Sequence, residues 1–278
     1  MNDATTAEKP DLAASCRQVA QHEIDHVKAH GWVKLDGFVT PDAAAYLLQR
    51  AKEILGEGPD AKIPPKGAGL PYFVPGKVDV FSEEHLGALV RKMGQAAKAL
   101  MKRGDGVGAR HFSSGTLAKL PAAEDARLSG AGKTDFHQDF PEWCVDRTGG
   151  MTIWIALEDY GPREGTMHFL DGSHRMGPLG AIQSRKGDVT DVYPGLIEEC
   201  PLTPQMVYKA GDATVHLDLC VHGASTNLSD KPRFAFGASF VPTDACWNGA
   251  PYPIWPEASA ALKRYQPLDD KFFPRVAD

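Results

Sequence analysis

Apolar positions in the first hundred residues fall at helical spacing, whereas those that follow alternate in short runs. Leu12, Val19, Ile24 and Val27 lie on one side of residues 11–30 and predict a helix. The Gly-bounded stretch from Gly31 to Val39 alternates and predicts a strand. Thr40-Pro41-Asp42 opens the next helix, with Thr40 as N-cap and Pro41 in the first helical position, and that helix runs to about Leu55. Leu86, Leu89, Val90, Met93, Ala97 and Leu100 predict a third helix over residues 83–103. Between the last two, residues 56–76 are dense in Gly and Pro and predict a long loop, a feature that in compact domains often carries function.

From about residue 107 the pattern becomes short strands separated by turns. Met151–Leu157, Thr166–Leu170, Gln205–Lys209, Ala213–Val221 and Arg233–Val241 each read as a strand. Helices first and strands afterwards predict a mainly β chain with flanking helices (α+β), its core a sandwich or barrel. No linker divides it. A single domain over residues 1–278 is expected, with a helical N-terminal part at about 11–103 and a β core at about 107–245.

Composition narrows the class. The chain has 278 residues, 30 Lys+Arg against 36 Asp+Glu and a formal net charge of −6. It has no basic stripe of the kind that nucleic-acid binders show, so no nucleic-acid partner is expected. Five cysteines, odd in number and without a CxxC pair, argue against a disulfide framework or a structural zinc site. The polar N-terminus lacks an apolar secretory core and no run of 18 apolar residues occurs, so no membrane association and a cytoplasmic address are expected.

Three segments carry candidate chemistry. In Asp135-Phe136-His137-Gln138-Asp139-Phe140, strand geometry points His137 and Asp139 to one side. His222 follows 85 residues after His137, and Arg233 stands 11 residues beyond His222. Two imidazoles and one carboxylate on one face of a metal form the facial triad of non-haem Fe(II) oxygenases. Three of six positions then stay open, enough for an α-keto acid and O2. An arginine suits the far carboxylate of that acid, because its planar fork grips bidentately and keeps its charge.

The ordered set resembles the phytanoyl-CoA dioxygenase (PhyH) family of Fe(II)/2-oxoglutarate-dependent oxygenases. The likeness spans roughly residues 117–245, with a weaker echo at 31–50. It includes Trp154-Ile-Ala-Leu-Glu-Asp159, Glu164-Gly165-Thr166, Asp171-Gly-Ser-His174 and Gly211-Asp212. The resemblance implies a double-stranded β-helix core, a jelly-roll of the cupin-like kind. It makes His137, Asp139 and His222 the iron ligands and Arg233 the anchor of 2-oxoglutarate. Trp154, Thr166 and Lys77 stand where the family has residues beside that cosubstrate. The implied reaction is oxidation, by default hydroxylation, of a C–H bond in a small, largely apolar molecule, using Fe(II), 2-oxoglutarate and O2 and releasing succinate and CO2. Two departures are visible: Asp171 replaces the proline of the usual P-G-S-H, and Ala224 replaces a serine after the distal His-Gly.

A second H-x-D, His216-Leu217-Asp218, needs an answer. On an unbroken strand His216 and His222 would lie roughly 20 Å apart, too far to share a metal. A site of His137, His216 and Asp218 stays sterically possible but leaves Arg233 unexplained; otherwise His216 and Asp218, which share one strand face with His222, are expected to line the same cavity, as substrate contacts or as a satisfied polar pair. Loops at residues 56–76, 105–115, 140–147 and 180–200 are expected to select the substrate, and Phe73, Phe140, Trp143 and Trp247 are expected as apolar lining. Two alternatives stay open: a cupin-like metalloenzyme that does not use 2-oxoglutarate, and a non-catalytic small-molecule-binding barrel.

Overall fold

The computed structural model describes residues 9–56, 80–101, 104, 106–122, 132–180, 187–251 and 256–278, with the backbone of 74–77. Two antiparallel sheets face each other. The larger is formed by β1 (Trp32–Leu35), β2 (Val74–Lys77), β3 (Ala109–Lys119), β5 (Met151–Ala156), β7 (Ala213–Leu217), β9 (Arg233–Pro242) and β10 (Arg275–Ala277). Its strands run in the order β1-β7-β5-β9-β3-β10, with β2 also paired to β3. The smaller contains β4 (Thr134–His137), β6 (Met167–Phe169) and β8 (His222–Ala224), in the order β4-β8-β6.

Period-two alternation gives the large sheet two different faces. Ala118, Ile153, Ile155, Val215, Phe234, Phe236 and Phe240 point outward into one apolar cluster. That cluster includes the buried faces of α1 (Gln21–His30), α2 (Pro41–Leu55) and α3 (Glu84–Met101). At about 1.5–3 kcal/mol per buried large side chain, this is where most of the fold's stability resides. The intervening positions, among them Trp154 and Ala235, face the space between the sheets. Polar residues also occupy this inner face, and they build the site.

The helices behave largely as their patterns predict. Thr40 Oγ1 accepts a hydrogen bond from the Ala43 amide at 3.4 Å and starts α2. The six apolar positions expected on α3 are all buried. Residues 11–20, however, are not helical. The Arg17 amide bonds to the Phe38 carbonyl, and Cys16 bridges Val39. α1 starts only at Gln21, where the Glu23 carboxylate accepts from the Ala20 amide at 2.7 Å.

Three β expectations need correction. Gln205–Lys209 forms no strand, only a bridge between Tyr208 and Tyr160. Much of 105–115 is not a mouth loop, because Ala109 onward is β3. Ala213–Val221 is not one strand. β7 ends at Leu217, the chain turns through Asp218–Cys220, and β8 begins in the other sheet at His222. Most of the 56–76 loop, including Phe73, lies outside the described residues, as does 181–186 of the 180–200 loop. Residues 187–200 contain two short helices, α4 (Val189–Val192) and α5 (Leu196–Glu199). A last helix, α6 (Pro256–Ala261), precedes β10.

Candidate metal centre

The small sheet brings the two halves of the triad together. His137 ends β4 and His222 begins β8, and they are register partners across the ladder. Their ring centroids are 4.3 Å apart. Asp139 lies just past β4, where the chain turns into a short 3-10 turn at Phe140–Glu142. Its Oδ1 is 3.6 Å from His137 Nε2 and 3.8 Å from His222 Nε2. One ligand atom from each of the three residues lies within 4.8 Å of the others. Cis ligands at ~2.1 Å from a metal are ~3 Å apart, so a small inward movement would let the three residues share one ion.

Each imidazole is held by its other nitrogen. His137 Nδ1 is 2.8 Å from the Asp135 carbonyl and His222 Nδ1 is 3.0 Å from the Cys220 carbonyl. A carbonyl only accepts, so both Nδ1 atoms donate and both Nε2 atoms are turned toward Asp139, where a bound metal would take their lone pairs. Burial first, then the neighbouring imidazoles of His216 and His137, hold His222 well below its ordinary pKa, which suits it to offer a lone pair to a metal. Burial pushes the Asp139 carboxyl up, but the imidazoles of His222, His137 and His216 outweigh it and hold the group well below the usual range. Two neutral nitrogens and an ionised carboxylate are the donor set that a divalent iron takes.

Backbone-directed bonds lock this geometry. Gln138 points away from the centre, and its amide nitrogen donates to the carbonyls of Gly177 and Leu219 at 2.9 and 2.8 Å. Ser173 Oγ accepts from the Val221 amide at 2.8 Å, immediately before His222. The Asp171-Gly-Ser-His174 stretch therefore positions the strand that carries His222. The Asp171 carboxylate accepts from Trp32 Nε1 at 2.9 Å and pairs with His30 at 2.9 Å.

His216 is closer to the centre than expected. The break at Asp218 folds the chain back, so His216 and His222 have ring centroids only 3.9 Å apart. His216 Nε2 is 3.3 Å from Asp139 Oδ2, and Thr152 Oγ1 donates to the same oxygen at 2.8 Å. The two oxygens of Asp139 are thus divided, Oδ1 facing the imidazoles of His137 and His222 and Oδ2 held by Thr152 and His216. Asp218 does not line the cavity. Its Oδ2 accepts from the amides of Gly149 and Gly150, both at 2.9 Å, and burial raises its carboxyl to about 7.

Beyond the triad, the inner face carries a guanidinium. Arg233 is buried, and its Nη1 donates to the Gly165 carbonyl at 2.5 Å. The guanidinium carbon stands 5.0 Å from the Trp154 ring centroid. Arg233 Nε is buried with no partner. An orphaned donor beside a cation is what a site for an incoming carboxylate presents. Thr166 departs from its expected role, because its hydroxyl donates to the Met206 carbonyl at 2.6 Å and is spent on the fold. Lys77 pairs with Gly115 by its backbone, and its side chain lies outside the described residues.

The expected apolar lining is also revised. Trp143 and Trp247 are buried in a separate cluster with Phe112, Val241 and Phe273, which makes them core residues. Phe140 packs against that cluster half-buried. Motif reading missed two side chains. Thr152 hides within a hydrophobic strand. Lys119, buried on β3 and register partner of Arg233, places an amine where alternation calls for an inward position. That parity is the signal that would have found it.

Residues 27–235 match the family described as "Phytanoyl-CoA dioxygenase (PhyH)". The chain belongs to that family. A protein from Arabidopsis thaliana described as "Phytanoyl-CoA dioxygenase" is 31% identical over 111 residues, a match that spans 40% of this chain and 39% of that protein's length. Among solved structures, the "non-heme alpha ketoglutarate dependent carbocyclase SnoK from nogalamycin biosynthesis" is similar, with a TM-score of 0.69 and 24% identity over 96% of this chain and 99% of that one. The epimerase SnoN from the same biosynthesis gives a TM-score of 0.68 and 21% identity over 92% and 98%. EctD from S. alaskensis, whose solved forms include one with bound Fe, has a TM-score of 0.63 and 15% identity over 90% and 87%. The shared architecture is the cupin-like double-stranded β-helix. Among the described residues no helix is long and apolar enough to cross a membrane.

Proposed function

We propose that this PhyH-family chain is an Fe(II)/2-oxoglutarate-dependent oxygenase, with His137, Asp139 and His222 as metal ligands and Arg233 as the anchor of the cosubstrate's distal carboxylate. The observation that carries the proposal is the convergence of the Nε2 atoms of His137 and His222 with Asp139 Oδ1, together with a buried guanidinium on the same inner face whose Nε has no partner. Bound iron with 2-oxoglutarate and O2 supplies an oxidant able to break an unactivated C–H bond, leaving succinate and CO2.

The chain's own residues do the rest. His137 and His222 present unprotonated nitrogens because Asp135 and Cys220 carbonyls hold their N–H groups. Thr152 and His216 fix the rotation of the Asp139 carboxylate, so one oxygen remains for the metal. Arg233 orients the keto acid through its far end. Trp154 covers the guanidinium and excludes water from that ion pair. Dryness protects the protein as well, since an oxidant made without substrate attacks nearby side chains.

The substrate we propose is a small, largely apolar organic molecule, and hydroxylation is the default outcome. Support for that class comes from the acidic net charge, which disfavours polyanionic partners, and from structures of similar fold described as an epimerase and a carbocyclase from nogalamycin biosynthesis. The test is succinate release from 2-oxoglutarate under air, screened against pools of such molecules. Release that needs both Fe(II) and a pool member supports the reading. Turnover of a pool member without 2-oxoglutarate, undiminished in Arg233→Ala, overturns it in favour of a metalloenzyme of another class.

A further inference from the structure

Five inward positions line up across the large sheet. Register pairs Trp32 with His216, His216 with Thr152, Thr152 with Ser239 and Ser239 with Ser113, so one row crosses β1, β7, β5, β9 and β3. The row lies under the metal centre, because His216 and Thr152 both meet Asp139 Oδ2. A register shift between His111 and Ser113 turns Ser113 to this face, while Phe112 joins the cluster of Trp143 and Phe273. In the next inward row, toward Arg233, the same two strands carry Gly237 and Gly115, which are also register partners. A Cβ at Gly237 would meet nothing closer than Leu117 Cδ1 at 3.6 Å, so there is room beside the serines. Ser113, Ser239 and Thr152 are half-buried, whereas Ala238 and Phe240 on the outward face of β9 are sealed. The hydroxyl row is therefore reached from the space between the sheets.

Hydrogen bonds along this row have one direction. A carboxylate accepts, so the single proton of the Thr152 hydroxyl goes to Asp139 Oδ2 at 2.8 Å. Ser239 must then be the donor in its 2.9 Å contact with Thr152 Oγ1. Its proton is spent, and its oxygen can only accept from whatever lies beyond. Ser113 Oγ makes no hydrogen bond among the described residues and keeps its proton to give. Side chains of register partners start ~5 Å apart, so one oxygen fits between these two hydroxyls. That oxygen donates to Ser239 and accepts from Ser113. A hydroxyl carries both functions on one atom, whereas a ketone lacks the donor and an ammonium lacks the acceptor.

We propose that Ser239 and Ser113 form a hydroxyl seat for the substrate, and that the substrate is an alcohol: an apolar framework bearing one free hydroxyl, held so that a nearby carbon faces the metal centre. This rests on the oxygenase reading above and narrows its substrate class. Neighbouring strands lie ~4.8 Å apart, so a group seated beyond Thr152 stands roughly 5–10 Å from Asp139. That span is covered by a few bonds of a small ring. A molecule without the hydroxyl expels water from the seat and leaves the Ser239 acceptor and the Ser113 donor unpaired, which weakens its binding. The seat is separate from the anchor at Arg233, which stands six residues from Ser239 along β9.

The experiment offers wild type three compound pools built on the same saturated ring frameworks: alcohols, the corresponding ketones and the parent hydrocarbons. Succinate release from 2-oxoglutarate with Fe(II) is measured in air with each pool. The most effective alcohol is then titrated by calorimetry, without oxygen, into protein loaded with Mn(II) and 2-oxoglutarate. Wild type, Ser239→Ala, Ser113→Ala and Ser239→Thr are compared. Alcohols are expected to stimulate release at least tenfold more than ketones or hydrocarbons. The alcohol should bind at least tenfold more weakly to each alanine variant. Ser239→Thr keeps a hydroxyl and should stay within threefold of wild type. Mn(II) affinity should stay within threefold in all four proteins, a sign that the centre is intact. Stimulation by ketones or hydrocarbons equal to that by alcohols overturns the proposal. Alcohol affinity unchanged in both alanine variants overturns it too, as does 2-oxoglutarate turnover that no alcohol stimulates. Wild type that neither binds 2-oxoglutarate nor releases succinate would instead refute the oxygenase reading itself.

Discussion

Replacing Thr152 with valine removes one oxygen and little volume, and it isolates what holds the Asp139 carboxylate. Thr152 Oγ1 donates to Asp139 Oδ2 at 2.8 Å and meets Ser239 Oγ at 2.9 Å. Without that hydroxyl, Oδ2 keeps only His216 Nε2 at 3.3 Å, a longer contact. A hydrogen bond to an ionised group in a buried site is worth about 1.5–3 kcal/mol. At ~1.4 kcal/mol per tenfold, metal affinity should fall by roughly 10- to 100-fold, the range typical of residues that support metal ligands. Mn(II) titration measured by electron paramagnetic resonance reads this directly. Thr152→Ser restores the hydroxyl and should return the affinity to near the wild-type value. The reasoning fails if Thr152→Val folds with wild-type thermal stability and binds Mn(II) as tightly as wild type.

Four further outcomes follow from the same geometry. His216→Ala should weaken metal binding yet retain it, whereas His222→Ala should abolish it; the reverse order, in the same titration, would move the centre to the other H-x-D. Gly165→Ala should reduce 2-oxoglutarate affinity far more than Mn(II) affinity, because Gly165 has φ +68° and a Cβ there would meet the Ser225 carbonyl at 2.3 Å, shifting the carbonyl that Arg233 bonds. Trp247→Ala should cost about 3–5 kcal/mol in urea unfolding, as for a core aromatic, and leave the cosubstrate affinity of the folded fraction unchanged. Stability of the unliganded wild type should rise between pH 7.5 and 9.5 relative to Lys119→Met, by about 1.4 kcal/mol per pH unit. In that window the unfolded lysine binds a proton that the folded one, lowered to about 6, does not.

Much of the site was legible because its chemistry is written in local spacing. His137 and Asp139 flank a residue that faces away, and the distal histidine and the arginine stand at the spacings that the resemblance to the PhyH family implies. α2 and α3 were legible for the same reason, through a cap and an apolar stripe. What escaped depended on where the chain breaks. Residues 213–221 look like one strand, but Asp218 spends its carboxylate on the Gly149 and Gly150 amides and turns the chain. That single turn moves His216 from an expected ~20 Å to direct contact with the ligand set.

Aromatic residues misled for a related reason. Trp143 and Trp247 read as lining because they sit in loop-like sequence, yet the bridge between Val145 and Trp247 closes them over Phe112 and Phe273. Residues 11–20 show helical spacing but are claimed by backbone bonds to Phe38 and Val39, a tertiary override of a weak local preference. Lys119 was overlooked because a lone lysine at a strand end looks solvated until its register partner is known.

The central claim is that two imidazoles and a carboxylate hold iron with a keto acid bound beside it. Anaerobic titration of the protein with Fe(II) and then 2-oxoglutarate, followed in the visible range, tests it most directly. A weak charge-transfer absorption that saturates with 2-oxoglutarate, and is lost in Asp139→Ala and His222→Ala, is predicted. Wild type that binds Fe(II) but develops no such band at any 2-oxoglutarate concentration would contradict the account.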